Sequence, residues 1–185
     1  MPLIHLDEPK HSVKVSTRHA KQILKLEPYA IVFEWPREFK FDKSKKWAAL
    51  KVNLRKHAKE YPHLIGAIKI FEAIEKLRKK SKRVLLFSMD GPVELTSIKG
   101  TGGEVNAIWN YLRERFMAKT LSKIKSKYPR AKLVVLCHNY HWKNLKFLLR
   151  KPAKSDIRNY YFQNRDVKPF LTNKIIKKYW NKFKV

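Results

Sequence analysis

The chain predicts an α/β layered domain with a mainly parallel sheet flanked by helices, followed by a basic helical C-terminal extension. Three observations carry that expectation. Short apolar runs at 30–34, 83–89 and 132–137 are rich in β-branched or aromatic residues and bounded by breakers, as strands are. Their hydrophobicity is continuous rather than alternating, which suits strands covered on both faces, as in a parallel sheet. Helical patterns separate them, and the order helix, strand, helix, strand, helix, strand, helix folds into layers through right-handed crossovers.

The first helix is expected at 17–26, with Ala20, Ile23 and Leu24 on one face and Ser16 or Thr17 as its N-cap. After the strand at 30–34, the charged stretch 39–46 reads as a loop leading into a helix from Trp47 to about Glu60. A further helix at 64–80 spaces Leu64, Ile68, Phe71, Ile74 and Leu77 for a buried stripe, and its last turn is basic, as the helix dipole prefers. The longest helix starts after Gly102 and Gly103 and runs to about Lys127, with Val105, Ile108, Leu112, Phe116, Leu121 and Ile124 as its apolar stripe. Pro129 ends it, because the residue before a proline is pushed out of the helical region. A last helix follows Trp142 and carries Leu145, Leu148 and Leu149. Residues 1–150 are thus expected to form the α/β domain, and 151–185 an aromatic-rich basic extension packed on it.

Charge says most about function. The chain has 43 Lys and Arg against 15 Asp and Glu, a formal net charge of +28 on 185 residues. Such an excess makes a compact body repel itself, so it points to a polyanion that neutralises it. A composition rich in Lys, Glu and Ile is also typical of thermophile proteins, but ion-pair networks need acids in rough proportion to bases. An anionic membrane surface is the weaker candidate, since neither end carries an amphipathic anchor or a lipidation motif. No stretch approaches the ~20 apolar residues of a membrane span, and no basic segment followed by an apolar run marks a secretory signal. Cys137 is the single cysteine, which excludes an internal disulfide and reads as a small core side chain. A cytoplasmic protein is expected.

Nucleic acid is the expected partner, with RNA or a ribosome favoured over DNA, because basic residues lie on nearly every segment and structured RNA offers phosphates on several sides. Lysine outnumbers arginine and no base-reading motif is present, so contacts to phosphate are expected. The candidate contacts are Lys45, Lys46, Lys79, Lys80, Lys82, Arg83, Arg150, Lys151, Lys154, Arg158, Arg165, Lys168, Lys174, Lys177 and Lys178. The segment 151–185 holds ten Lys or Arg against two Asp, interleaved with aromatics. Of these Tyr160, Tyr161 and Trp180 are candidates for base stacking, the alternative being that they pack the extension onto the domain.

Chemistry in a parallel sheet concentrates where strands end. Those positions hold Glu34, Asp90, His138 and His141, a set able to bind a divalent metal ion or do acid–base work, or simply to satisfy strand ends. Arg113 could serve as an internal partner for Glu34 or Asp90. His5, His19, His57 and His63 lie in polar sequence and read as surface residues. No Gly-x-x-x-x-Gly-Lys phosphate loop and no Gly-x-Ser-x-Gly elbow is present.

Four stretches in order resemble a known family. HSVKVSTRHAKQIL with His11, followed by LEPYAIVFEWP with Glu34, is similar to the opening of the TraB/pheromone-shutdown group and its Tiki and GumN-like relatives. VLLFSMDGPVELTSIK places Asp90 and Thr96 like that family's Asp and Thr, with Lys99 nearby. LRERFMAKTL, with Arg113, Glu114 and Met117, resembles its Arg-Asp-x-x-Met-Ala helix, and VVLCHNYHWKNLKFLL its closing histidine element, with His141 at the histidine. The chain departs from the pattern at Glu8 and His138, which replace glycines, at Gly91, which replaces an arginine, and at Asn144, which replaces a glycine. Loss of the glycine from each of the two Gly-x-x-His elements, at Glu8 and His138, reshapes or closes a site that needs close backbone approach. The resemblance implies metal-dependent, peptidase-like hydrolysis, with His11, Glu34 and His141 as metal ligands and Glu34, Asp90 and Arg113 as catalytic residues. A metal-dependent hydrolase, peptidase-like or nuclease, is therefore the alternative to a nucleic-acid-binding module with little catalysis.

Overall fold

The computed structural model describes residues 3–7, 13–36, 44–59, 64–80, 82–92, 103–150 and 181. Among them are four strands and five helices in the order β1 (Leu3–Asp7), α1 (Val13–Leu26), β2 (Ala30–Pro36), α2 (Ser44–His57), α3 (Leu64–Lys79), β3 (Leu85–Asp90), α4 (Gly103–Lys127), β4 (Leu133–Cys137) and α5 (Asn139–Arg150). The sheet runs β1-β4-β2-β3, with β4 parallel to both of its neighbours. Leu3 pairs with Leu133 on one side and Ala30 with Leu133 on the other, so the two strands that flank β4 start level with its first residue. This is the expected α/β class with a mainly parallel sheet.

Two compact units divide the chain. The first takes the described residues of Met1–Phe33, Lys40–Phe87 and Tyr128–Asn139. Every residue of β4 is buried, as its unbroken apolar run LVVLC requires, and Cys137 is a free, buried core thiol. Helix α1 packs on α3, and α2 on α3. The α3 stripe is Ile68, Phe71, Ile74 and Leu77, all buried, and Phe71 meets Phe33 of β2 at 6.0 Å between ring centroids. The end of α1 is closed by Glu27, whose φ of 43° is left-handed and whose N–H donates to the Ile23 carbonyl at 3.0 Å. Lys132 adds a cation there, donating to the Leu26 carbonyl at 2.7 Å.

The second unit takes the described residues of Glu34–Phe39, Ser88–Lys127 and Tyr140–Val185, so the tips of β2 and β3 belong to it together with α4 and all but the first residue of α5. Its buried apolar side chains include Met89, Leu112, Met117, Leu121, Ile124, Leu145 and Leu148.

Several expectations need correction. Residues 3–7 form a fourth strand; it sits at the sheet edge and is mostly half-buried, so it lacks the continuous apolar run that marks the others. Helix α1 begins four residues before Thr17, whose hydroxyl instead donates back to the Val13 carbonyl at 2.8 Å, and Ser16 is buried within its first turn. Arg83 precedes β3, and α5 begins before Trp142, at Asn139, whose N–H donates to Asp7 at 2.7 Å. On α4, Met117 takes the buried place and Phe116 is half-buried, while the side chains of Val105 and Ile108 lie outside the described residues. His19 is not a surface residue: it is 3 % exposed on the inner face of α1, where burial, then the nearby Arg18, holds its pKa below the ordinary histidine value despite the opposing pull of Asp7. His5 is half-buried, with Nε2 placed 3.0 Å from the Cys137 carbonyl. His57 is exposed as expected, and His63 lies outside the described residues. So does the extension 151–185 apart from Asn181.

Candidate functional site

Within the second unit, the tips of β2 and β3 and the facing sides of α4 and α5 place five charged or titratable side chains in one chain of contacts. Asp90 ends β3, is 2 % exposed, and accepts from its neighbour Gly91 N–H at 2.7 Å. Arg113, 8 % exposed, meets it with a fork: Nε lies 3.0 and 3.1 Å from the two carboxylate oxygens, and Nη2 donates to Oδ2 as well. The same Nη2 donates to Glu34 Oε1 at 3.1 Å. Planar guanidinium geometry makes this two-carboxylate grip possible, where a lysine would present a single point charge. Burial pulls the Arg113 pKa down, but the hydrogen bonds and charge of Asp90, then those of Glu34, outweigh it and leave the guanidinium above its ordinary value.

The next residue of α4 builds the other arm. Glu114 is fully buried, and its Oε1 accepts from His141 Nδ1 at 2.7 Å and from Asn144 Nδ2 at 2.9 Å. His141 and Asn144 stand three residues apart on α5 and so share a face. The other ring nitrogen, Nε2, lies 3.4 Å from Glu34 Oε1, so Glu34 joins the two arms. Burial raises the Glu114 carboxyl above the ordinary range; His141, Asn144 and Arg113 oppose the shift without cancelling it. Its second oxygen, Oε2, is buried without a hydrogen-bond partner.

The expected catalytic residues Glu34, Asp90 and Arg113 are therefore together, and His141 is with them. His141 reaches this place from the first turn of α5 rather than from a strand-end loop. His11 lies outside the described residues. The arrangement does not fit a divalent metal ion. Asp90 gives both oxygens, and Glu34 its Oε1, to a permanent cation, Arg113, and the two nitrogens of His141 face carboxylates on opposite sides. Among the described residues no group of three or more His, Cys, Asp or Glu is arranged to hold a metal. What the geometry supports is a closed ion network that locks β2, β3, α4 and α5 tips of this unit together.

Compared with family models, with curated proteins and with solved structures, the chain matches none.

The expected phosphate contacts are scattered differently. Lys79, Lys80, Lys82, Arg83 and Arg150 are exposed, and Lys82 is paired with Glu27 at 3.1 Å. Lys45 and Lys46 lie on α2 with side chains outside the described residues. Lys151, Lys154, Arg158, Arg165, Lys168, Lys174, Lys177, Lys178, Tyr160, Tyr161 and Trp180 are likewise outside them. Sequence reasoning missed two sets. Glu114 and Asn144 enter only through the family resemblance, as a position of the matched helix and as a replaced glycine, and neither is marked there as a site residue. Arg115, Lys119, Lys123 and Lys127 do carry a mark, a cation at every fourth position of α4.

No helix among the described residues is long and apolar enough to cross a membrane.

Proposed function

We propose that this protein binds RNA, as a phosphate-contacting component of a ribosome or another RNA particle, on a scaffold resembling the TraB group. A cytoplasmic place belongs to the same reading. The observation that carries it is where the scarce acids go. Glu34, Asp90 and Glu114 are withdrawn into the buried network, and Glu27, Glu72 and Glu75 are held by Lys82, by Lys69 and Arg55, and by Lys51. Of the fifteen acids in this chain of net charge +28, these six are thus held in internal or local pairs, and the excess of cations is left unneutralised by them. Surface ion pairs of this kind add little stability, so stability alone does not account for the excess of bases.

Lysine-dominated contacts recognise phosphate rather than base edges, and such binding is salt-dependent. Exposed cations stand on α3, in the turn after it, on α4 and on α5, which suits a partner with phosphates on several sides. The test is titration with ribosomes, transfer RNA and duplex DNA over a range of salt, alongside sequencing of nucleic acid that copurifies at low salt. Engagement of six to ten phosphates should lower affinity by about 10³ to 10⁵ between roughly 50 and 200 mM salt. Failure to bind any of the three at low salt would overturn the proposal.

A further inference from the structure

Helix α4 carries two parallel files of side chains with opposite character. Arg115, Lys119, Lys123 and Lys127 stand four residues apart, and beside them Ala118, Ser122 and Ser126 do the same. Rows spaced by four form the ridges of a helix surface, so a file of small residues next to a file of long ones is a trough beside a wall. The structure shows that trough as part of a groove of ≈ 770 Å³ that Leu148 of α5 also lines. At 1.5 Å per residue the cationic wall extends about 18 Å along the axis. Its first member is held in place: the Arg115 guanidinium lies over the Tyr111 ring, 5.7 Å from its centroid. Lys119 and Lys123 are exposed, and none of the described residues that line the groove is an acid.

We propose that this groove is the binding track for one unpaired RNA strand, with phosphates along the Arg115-to-Lys127 wall. The inference rests on the RNA-binding reading above and names its site. Three features select a single strand. Among the described lining residues the cations form one file, which matches one file of phosphates, whereas a duplex presents two backbones and calls for cations on both walls. The described lining residue from outside α4 is Leu148, whose apolar side chain suits a ribose or base rather than a phosphate. The floor of Ala118, Ser122 and Ser126 is shallow enough for close approach, and both hydroxyls can donate to phosphate oxygens or pair with a 2′-hydroxyl.

The experiment uses the full chain and fluorescence anisotropy with labelled poly(U), against an RNA duplex of equal length. Lys119→Gln with Lys123→Gln removes two wall cations, Ser122→Leu fills the floor at constant charge, and Lys21→Gln with Lys25→Gln removes two exposed cations from α1 as a charge-matched control. The wild-type protein should prefer poly(U), and the wall variant should lower the slope of log affinity against log salt by about 1.4, two single-strand phosphate contacts. Ser122→Leu should weaken poly(U) binding without changing that slope, and the α1 variant should leave both nearly as in wild type. Equal losses in the wall and α1 variants, or tighter binding of the duplex, would overturn the groove while leaving RNA binding intact. Absence of any binding to RNA would instead overturn the reading on which the groove depends.

Discussion

Arg113 and Arg115 are the same residue type two positions apart on one helix, and they serve opposite ends. Two steps of an α-helix turn a side chain by about 200°, so one arginine faces inward and the next faces out. Arg113 is gripped by Asp90 and Glu34 and has its charge consumed in a buried network. Arg115 lies over Tyr111 and lines a groove whose described residues include cations and no acids. The contrast teaches that charge in this protein is sorted by helix face: matched where burial would make an unpaired ion costly, unmatched where solvent or a polyanion can attend to it.

The sharpest way to break that contrast is to remove the inward cation. Arg113→Ala leaves two carboxylates at a buried site without their partner, and urea denaturation should show a loss of about 3–5 kcal/mol. A cost below about 1 kcal/mol, the range of exposed ion pairs, would mean that the network is not the matched buried cluster it is taken for. Asn144→Ala is a smaller perturbation of the same region, since Glu114 keeps its bond from His141; the expected loss is about 1–3 kcal/mol for a buried acceptor deprived of a donor.

Glu114 sharpens the comparison through pH. Because burial raises its carboxyl in the folded state, the folded protein holds that proton more tightly than the unfolded chain does. The resulting stabilisation is complete below the ordinary carboxyl range and disappears as pH climbs through the raised value. Denaturation midpoints measured across this interval should fall in wild type, and Glu114→Gln should flatten that part of the curve. The outward face should respond least. Lys119→Gln with Lys123→Gln should change stability by no more than about 0.5 kcal/mol, with any change at low salt being a gain from relieved self-repulsion.

Much of the fold was readable residue by residue. The runs at 30–34, 83–89 and 132–137 announce strands because burial on both faces leaves no room for polar alternation, and the α3 stripe from Ile68 to Leu77 lands in the core as its spacing requires. Leu3–Asp7 escaped because an edge strand is half-exposed and its pattern is too short to differ from a polar stretch. Of the site, the rule that strand ends gather function places Glu34, Asp90 and His141, and the need of a buried carboxylate for a partner points to Arg113 beside Glu34 or Asp90; it holds both. Glu114 was legible only as a match to a family helix. Its total burial follows from where α5 crosses α4 within the second unit, and no periodicity of α4 alone reports that.

Composition by itself settled the excess of cations, and hydrophobic patterning settled the α/β class with its parallel sheet, because both are properties of which residues occur and how often they recur. Only the tertiary structure decided which charges neutralise one another. Arg113 finds Asp90 and Glu34 across 23 and 79 residues of chain, and pairing at that range depends on how elements pack rather than on any local spacing. The same packing leaves Arg115 and the lysines that follow it lining an open groove, although nothing in their local sequence separates them from the arginine two residues before.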